Sequence, residues 1–530
     1  MLVVGSTGAR KRWSAVLALL ALTAAACGST VQQSGQQSTT RRVSGEAGLN
    51  GGTSGGDAGN ERGTTGGDAG AGGASSGSSG SSSGRTSSGT SGSSGSRSGS
   101  SSGGSGTGAL GPGITATTIN VGIIYAVNSG AANAAIGAAG VSQGDEKANY
   151  TVLIDDLNAH GGVAGRKVVG IYHSIDATST ASISDEYQAA CDDLTQDHKV
   201  YAVFAGNDET LLQCLHNRGV LALSANLTRA DAAIFKRFPY YFEIDSLNLD
   251  RIAAAEVTAL KAQGWFSGWN TATGQPASTK AKVGVLTFDI PSFGHAVDQV
   301  LVPALAKLGY APDPADVARV PNIQAQSDVA AAAASVSNAV LRFRSHNVTH
   351  VIIIEASGTL SLLFGNNADS QHYYPRYGAN SQTGQEALAI SGAYPKSQLN
   401  GTLGIGWEPS LDIAPSENPP NGPYSNAAQR KCLALYSAHG ISFSDQNAQG
   451  VGFLNCATTW FFRDVMKHVT SMTKDGFLAA GNAIGSAFES LTVIPTKIDA
   501  THHDGIAAVR YWAYKPECGC MRYTTGDMPA

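Results

Sequence analysis

Two α/β lobes, each a parallel sheet with helices across its faces, are what the sequence predicts, and three observations carry that reading. Apolar runs of strand length alternate with helix-length amphipathic segments, at the spacing of strand-crossover-strand units. The series runs once through residues 118–224 and begins again after residue 250. Residues 114–530 amount to 417, enough for two cores of about 200 residues each.

The first strand is 118–125 (TINVGIIY), followed by a small-residue loop at 128–140 (NSGAANAAIGAAG). Residues 147–160 (KANYTVLIDDLNAH) put Tyr150, Leu153, Ile154 and Leu157 at helical spacing. Gly161 and Gly162 end that helix, because glycine enters the left-handed region without a Cβ clash. A strand at 167–173 (KVVGIYH), a helix at 182–197, a strand at 200–204, a helix at 209–218 and a strand at 220–224 continue the series. The second series has a helix at 250–263, a strand at 282–288 (KVGVLTF), helices at 295–308 and 329–346, and a strand at 348–354 (VTHVIII). Between Trp265 and Lys280 the run FSGWNTATGQPAST reads as a surface insertion, and 417–424 (ENPPNGPY) as a Pro-rich loop. In such sheets ligands sit off the carboxyl ends of the strands.

The N-terminal part is a different polymer. Arg10, Lys11 and Arg12 precede the apolar run 13–26 (WSAVLALLALTAAA), which is shorter than the roughly 20 residues of a spanning helix and reads as an export signal. It ends in Ala24-Ala25-Ala26-Cys27-Gly28, which resembles a bacterial lipobox, so residues 1–27 are read as a lipoprotein signal with Cys27 as the lipidated residue. An ordinary secretory signal with a chance cysteine is the alternative. Residues 28–113 hold 28 Gly and 23 Ser and no aromatic residue, too little apolar surface to offset chain entropy. They read as a tether with a reach of about 50 Å, from roughly 5–6 Å times the square root of length.

Setting Cys27 aside leaves six cysteines: Cys191, Cys214, Cys432, Cys456, Cys518 and Cys520. Fifteen connectivities are formally open, and the near-neighbour order favours Cys191–Cys214, Cys432–Cys456 and Cys518–Cys520 in an oxidising compartment. No CxxC pair occurs and His502-His503-Asp504 lacks the usual ligand spacing, so no metal and no cofactor are expected. The net charge of −5 offers no broad basic field, which argues against nucleic acid.

One motif carries a family resemblance. Residues 153–168 read LIDDLNAHGGVAGRKV, and the stretch from Asn158 to Arg166 matches, residue by residue, the N-x-x-G-G-[VI]-x-G-[RK] turn of the type I periplasmic binding proteins, especially the branched-chain amino-acid-binding branch. Further matches are the strands and loops at 203–207 and 220–226, and Ser292-Phe293-Gly294-His295, where that family often has Tyr-Gly. The resemblance covers roughly residues 119–505. It implies two Rossmann-like lobes joined by three crossings, the first from residues 114–245 and 409–495, the second from 246–408 and 496–530. It also implies capture of a small polar solute, such as an amino acid or amide, in the interlobe cleft. Delivery would be to a membrane ABC permease, with the protein held outside the cell membrane by its lipid.

Carried over position by position, the resemblance implies first-lobe contacts at Asn207 and Asp208, and at Ser224, Ala225 and Asn226, where backbone amides and a hydroxyl take a ligand carboxylate. Asp208 also reads as a cap for the helix that starts at Glu209. From the second lobe come Phe293 as the aromatic contact, Glu355 as a partner for an ammonium group, and Ser357. Asn380 and Ser381 stand near the family's second acidic contact, and the next acid in this chain is Glu386.

Two other function classes stay open. A hydrolase would need a positioned nucleophile and base, yet no GxSxG, HExxH or P-loop sequence is present, and the His502-His503-Asp504 group reads as a polar turn. A ligand sensor docking on a membrane receptor shares every feature of the transport protein.

Overall fold

The computed structural model describes residues 110–204, 206–408, 426–443 and 445–530. The export signal, Cys27, the tether up to residue 109 and the Pro-rich run 417–424 lie outside the described residues.

The first sheet contains β1 (Thr118–Val127), β2 (Lys167–Asp176), β3 (Ala202–Phe204), β4 (Leu221–Ser224) and β5 (Tyr241–Glu243), all parallel, in the order β2-β1-β3-β4-β5. A two-stranded hairpin, β6 (Trp269–Asn270) and β7 (Gln275–Pro276), precedes the second sheet. There β8 (Val283–Phe288), β9 (Val317–Val320), β10 (His350–Ile354), β11 (Arg376–Asn380) and β12 (Leu403–Gly406) are parallel, in the order β9-β8-β10-β11-β12. This repeats the first sheet's order when counted from β8. β13 (Ala508–Lys515), β14 (Cys520–Tyr523) and β15 (Met528–Pro529) extend the second sheet antiparallel. β8 and β10 are buried at every residue, as strands covered by helices on both faces must be, which is why they read as unbroken apolar runs.

The chain passes between the two lobes three times: from β5 to the helix Leu249–Ala262, from β12 to the helix Ala427–Ala438, and from the helix Lys474–Ala483 to β13. The first and third crossings lie side by side. Glu243 N–H donates to His503 O (2.8 Å), Gly505 N–H donates to Glu243 O (2.8 Å), and Asp504 accepts from Asn248 N–H (2.9 Å) and Arg251 Nη1 (2.8 Å). The helices Ala427–Ala438, Gln446–Met466 and Lys474–Ala483 return to the first sheet and share its core, with Phe204 and Phe462 rings 5.3 Å apart.

The 158–166 turn has a structural reason. Asn158 Nδ2 donates to Val168 O and its Oδ1 accepts Val168 N–H, both at 2.8 Å, pinning the end of the helix Glu146–Ala159 to β2. Gly162 has φ +70°, and a Cβ there would stand 2.0 Å from Arg166 O, so only glycine fits.

Three disulfides are present. Cys191–Cys214 joins the helices Ile183–Asp192 and Glu209–Arg218, Cys432–Cys456 joins Ala427–Ala438 to Gln446–Met466, and Cys518–Cys520 spans the approach to β14.

The run 266–279 lies mostly at the surface, as the sequence suggested, and is anchored by tryptophans. Trp265 and Trp269 are buried, their indole N–H groups donating to Tyr377 O (2.9 Å) and Tyr374 O (2.8 Å), and Arg376 stacks over Trp269. Satisfying both indole donors on β11 and the turn before it lets this stretch close the end of the second sheet.

Candidate ligand cleft

Both sheets present a switch point, between β1 and β3 and between β8 and β10, where neighbouring strands send their chains to opposite faces and open a crevice at the carboxyl ends. These ends face each other across the interlobe cleft. The lobes touch directly: Ile183 N–H donates to Gln324 O (2.7 Å), Ser184 Oγ to Gln324 Oε1 (3.1 Å), Ser292 Oγ to Arg229 O (2.7 Å), and Arg229 Nη2 to Asn322 Oδ1 (3.3 Å). The loop after β1 also reaches over, burying Ala138 against Leu388, Tyr394 and Leu399 of the second lobe. The cleft is closed.

Inside lies a row of three cavities. The inner one, about 350 Å³, is walled by Asn133, Val141, Gln143, Asn226, Leu227 and the start of the helix Gln446–Met466 on one side, and by Ser357, Ser381, Glu386, Leu388, Ile390 and Glu408 on the other. A second, about 220 Å³, shares Asn133 and Ser357 with it and is lined by Phe288, Phe293 and Arg229. The outer opening, about 710 Å³, shares Arg229 and Asn322 with the second and includes Asn207 and Asp208.

The structure thus brings Asn226, Ser357 and Ser381 to the inner cavity. Asp208 sits at the outer mouth, where its Oδ1 accepts Thr210 N–H (2.8 Å) and caps the helix Glu209–Arg218. Asn207 lies behind the wall of the inner cavity, its amide donating to Leu227 O and to Glu243 Oε2. Ser224 and Ala225 are buried in the first lobe.

Three second-lobe positions are placed otherwise than the sequence suggested. Pro291 starts a helix at 291–295, which turns Phe293 into the core beside Phe288, so it offers the second cavity only a wall. Glu355 is 1% exposed and its carboxylate is taken by the next helix, accepting Leu360 N–H (2.9 Å), Ser361 N–H (2.8 Å) and Ser361 Oγ (2.6 Å). Burial pushes its pKa up to about 7. Asn380 is buried too, donating to Glu256 Oε2 (2.8 Å) and accepting Gln382 N–H (2.9 Å). Ser381 Oγ accepts Trp407 N–H (3.1 Å) while its residue lines the inner cavity.

Three acids line the inner cavity: Glu386, which the sequence offered only as the next acid after Ser381, and Glu408 and Asp445, which it did not single out. Burial raises the Glu386 pKa to about 8, with Glu408 adding to it, and raises Glu408 to about 7, with Asp245 adding to it. Glu408 stands two residues beyond β12, at the end of a strand as Ser357 is.

The His502-His503-Asp504 group lies in the third crossing. The His503 ring stacks on Phe242, with its nitrogens against Tyr241 O (3.1 Å) and Asn482 Oδ1 (2.7 Å), while Asp504 ties the first crossing down.

No family model matches the chain, and no curated protein matches its sequence. Solved structures do. A possible leucine/isoleucine/valine-binding protein from Rhodopirellula baltica SH 1 aligns at 13% identity and TM-score 0.54 over 77% of this chain and 97% of that one. A fatty acid ABC transporter substrate-binding protein from Thermomonospora curvata aligns at 14% identity and TM-score 0.54 over 80% and 95%. A periplasmic binding protein type 1 from Bordetella pertussis Tohama I aligns at 15% identity and TM-score 0.52 over 78% and 100%. The chain has the type I periplasmic-binding-protein fold, two α/β lobes around a cleft. Among the described residues no helix is long and apolar enough to cross a membrane.

Proposed function

We propose that this protein is an extracytoplasmic solute-binding lipoprotein, anchored through Cys27, that captures a small ligand in the interlobe cleft and hands it to a membrane ABC importer. The observation that carries the reading is the inner cavity of about 350 Å³, walled by residues of both lobes, in a cleft whose lobes are joined by direct hydrogen bonds. Its size lies within the roughly 300–1,000 Å³ usual for small-molecule sites. The ABC substrate-binding proteins among its structural neighbours support the role, and the export signal and lipobox-like Cys27 support the address. No catalytic step is assigned: the one acid–base group the sequence offers is engaged in the hinge.

A solute library screened by thermal shift tests the reading. A ligand at a hundredfold excess over its Kd adds about 2.7 kcal/mol of stability by mass action. Asn226→Ala with Ser357→Ala, both on the cavity wall, is expected to remove the shift and leave the unliganded protein folded. A library without a stabilising member, or an unchanged shift in the variant, would contradict it.

A further inference from the structure

The inner cavity is built for one sign of charge. Glu386 enters it from the second lobe and Glu408 from the crossing after β12. Glu386 is only 8% exposed and its Oε2 has no hydrogen-bond partner. A buried carboxylate oxygen left without a donor is costly, and a ligand N–H group is the missing partner the site has room for. Among the described residues lining this cavity there is no Lys, Arg or His. Arg229 lines the adjoining cavity instead, donating to Asn322.

Three backbone N–H groups that could receive an anion are already filled by the protein's own oxygens. At the exit of β4, Asn226 N–H donates to Glu243 Oε1 (2.7 Å) and Leu227 N–H to Asn226 Oδ1 (2.7 Å). The long helix whose start faces the cavity is capped by Asp445, whose Oδ1 accepts Ala448 N–H (2.9 Å). Leu227, Leu388, Ile390 and Leu454 give the wall its aliphatic part, beside the polar Asn133, Gln143, Ser391 and Asn447.

Resting on the solute-binding reading, we infer that the ligand of this cavity is an organic amine, a protonated amino group on a compact apolar body, and that it carries no carboxylate. Its ammonium supplies up to three donors to Glu386 and Glu408, and its body lies on the aliphatic wall. The mutual repulsion of the two acids, which raises the proton affinity of Glu386, is relieved by the same cation.

Two matched trios test this on the full mature chain by titration calorimetry at pH 8. They are 2-phenylethylamine, 3-phenylpropanoate and L-phenylalanine, and isopentylamine, 4-methylpentanoate and L-leucine. The amine of at least one trio is expected to bind tenfold or more tightly than its matched acid and amino acid. Glu386→Gln with Glu408→Gln, nearly isosteric and relieved of buried charge, is expected to fold and to lose tenfold or more of that affinity. Acids or amino acids binding as tightly as the amines would overturn the inference and leave the solute-binding reading standing. Silence from all six compounds, or amine affinity indifferent to the double substitution, would overturn it too. The solute-binding reading falls separately, if the broad library also yields nothing.

Discussion

The Glu243 carboxylate accepts the Asn226 backbone N–H at 2.7 Å, so an acid from the end of β5 holds the loop at the end of β4 from below. Tyr241 Oη (2.7 Å) and Asn207 Nδ2 (3.3 Å) donate to the same carboxylate. One buried side chain thereby couples the floor of the cleft to the first crossing.

That burial has a pH consequence. The Glu243 pKa is pushed from 4.5 to about 7, so the native state holds its proton more tightly than the unfolded chain. Its contribution is fully present below about pH 4.5 and is lost as pH rises through about 7, on the order of 3 kcal/mol. Denaturant melts at pH 5 and pH 8 are expected to show lower stability at pH 8, and Glu243→Gln to shrink the difference. Equal pH slopes for parent and variant would contradict this.

β8 and β10 were legible because parallel strands covered on both faces are apolar throughout, and the helix Glu146–Ala159 because its buried Tyr150, Leu153, Ile154 and Leu157 follow the helical period, whereas the short β5, β9, β11 and β12 went unread. The family resemblance, carried over position by position, led to Asn226, Ser357 and Ser381. It misplaced Glu355 and Phe293 because a helix begins a few residues after each strand, and the new N-terminus consumes the carboxylate or turns the ring inward. Glu386 sits on a short helix and Glu408 on a crossing, positions whose meeting in one cavity depends on how the lobes close.

Two of the three disulfides pair helices of the first lobe. Replacing Cys191 and Cys214 by Ala, or Cys432 and Cys456, is expected to cost about 2–4 kcal/mol, as for loops of this length. Cys518 and Cys520 enclose one residue, and their replacement is expected to cost little. Non-reducing peptide mapping checks the pairing, and a Cys191–Cys432 peptide would reject it.

Anchoring rests on Cys27. Cys27→Ser is expected to move the protein from the membrane to the soluble fraction with an unchanged melting temperature. Removing residues 44–105 is expected to leave melting temperature and ligand affinity alone, because a stretch dominated by Gly and Ser has little to pack. Full membrane retention of the serine variant, or a large loss in the deletion, would contradict these expectations.

Closure depends on a few interlobe hydrogen bonds. Ser292→Ala, which removes the donor to Arg229 O, together with Gln324→Ala is expected to shift the unliganded protein toward an open shape and weaken ligand binding without changing either core. Small-angle scattering with and without ligand reads this as a larger radius of gyration, and an unchanged radius and affinity would argue that these contacts do not hold the lobes together.

Native mass spectrometry of the protein purified from its own host, without refolding, tests the central claim most directly. The expected spectrum shows a fraction of molecules carrying one small solute, released on activation and absent from the Asn226→Ala, Ser357→Ala variant. A bare polypeptide mass that stays bare after incubation with a broad solute library would contradict a role in solute capture.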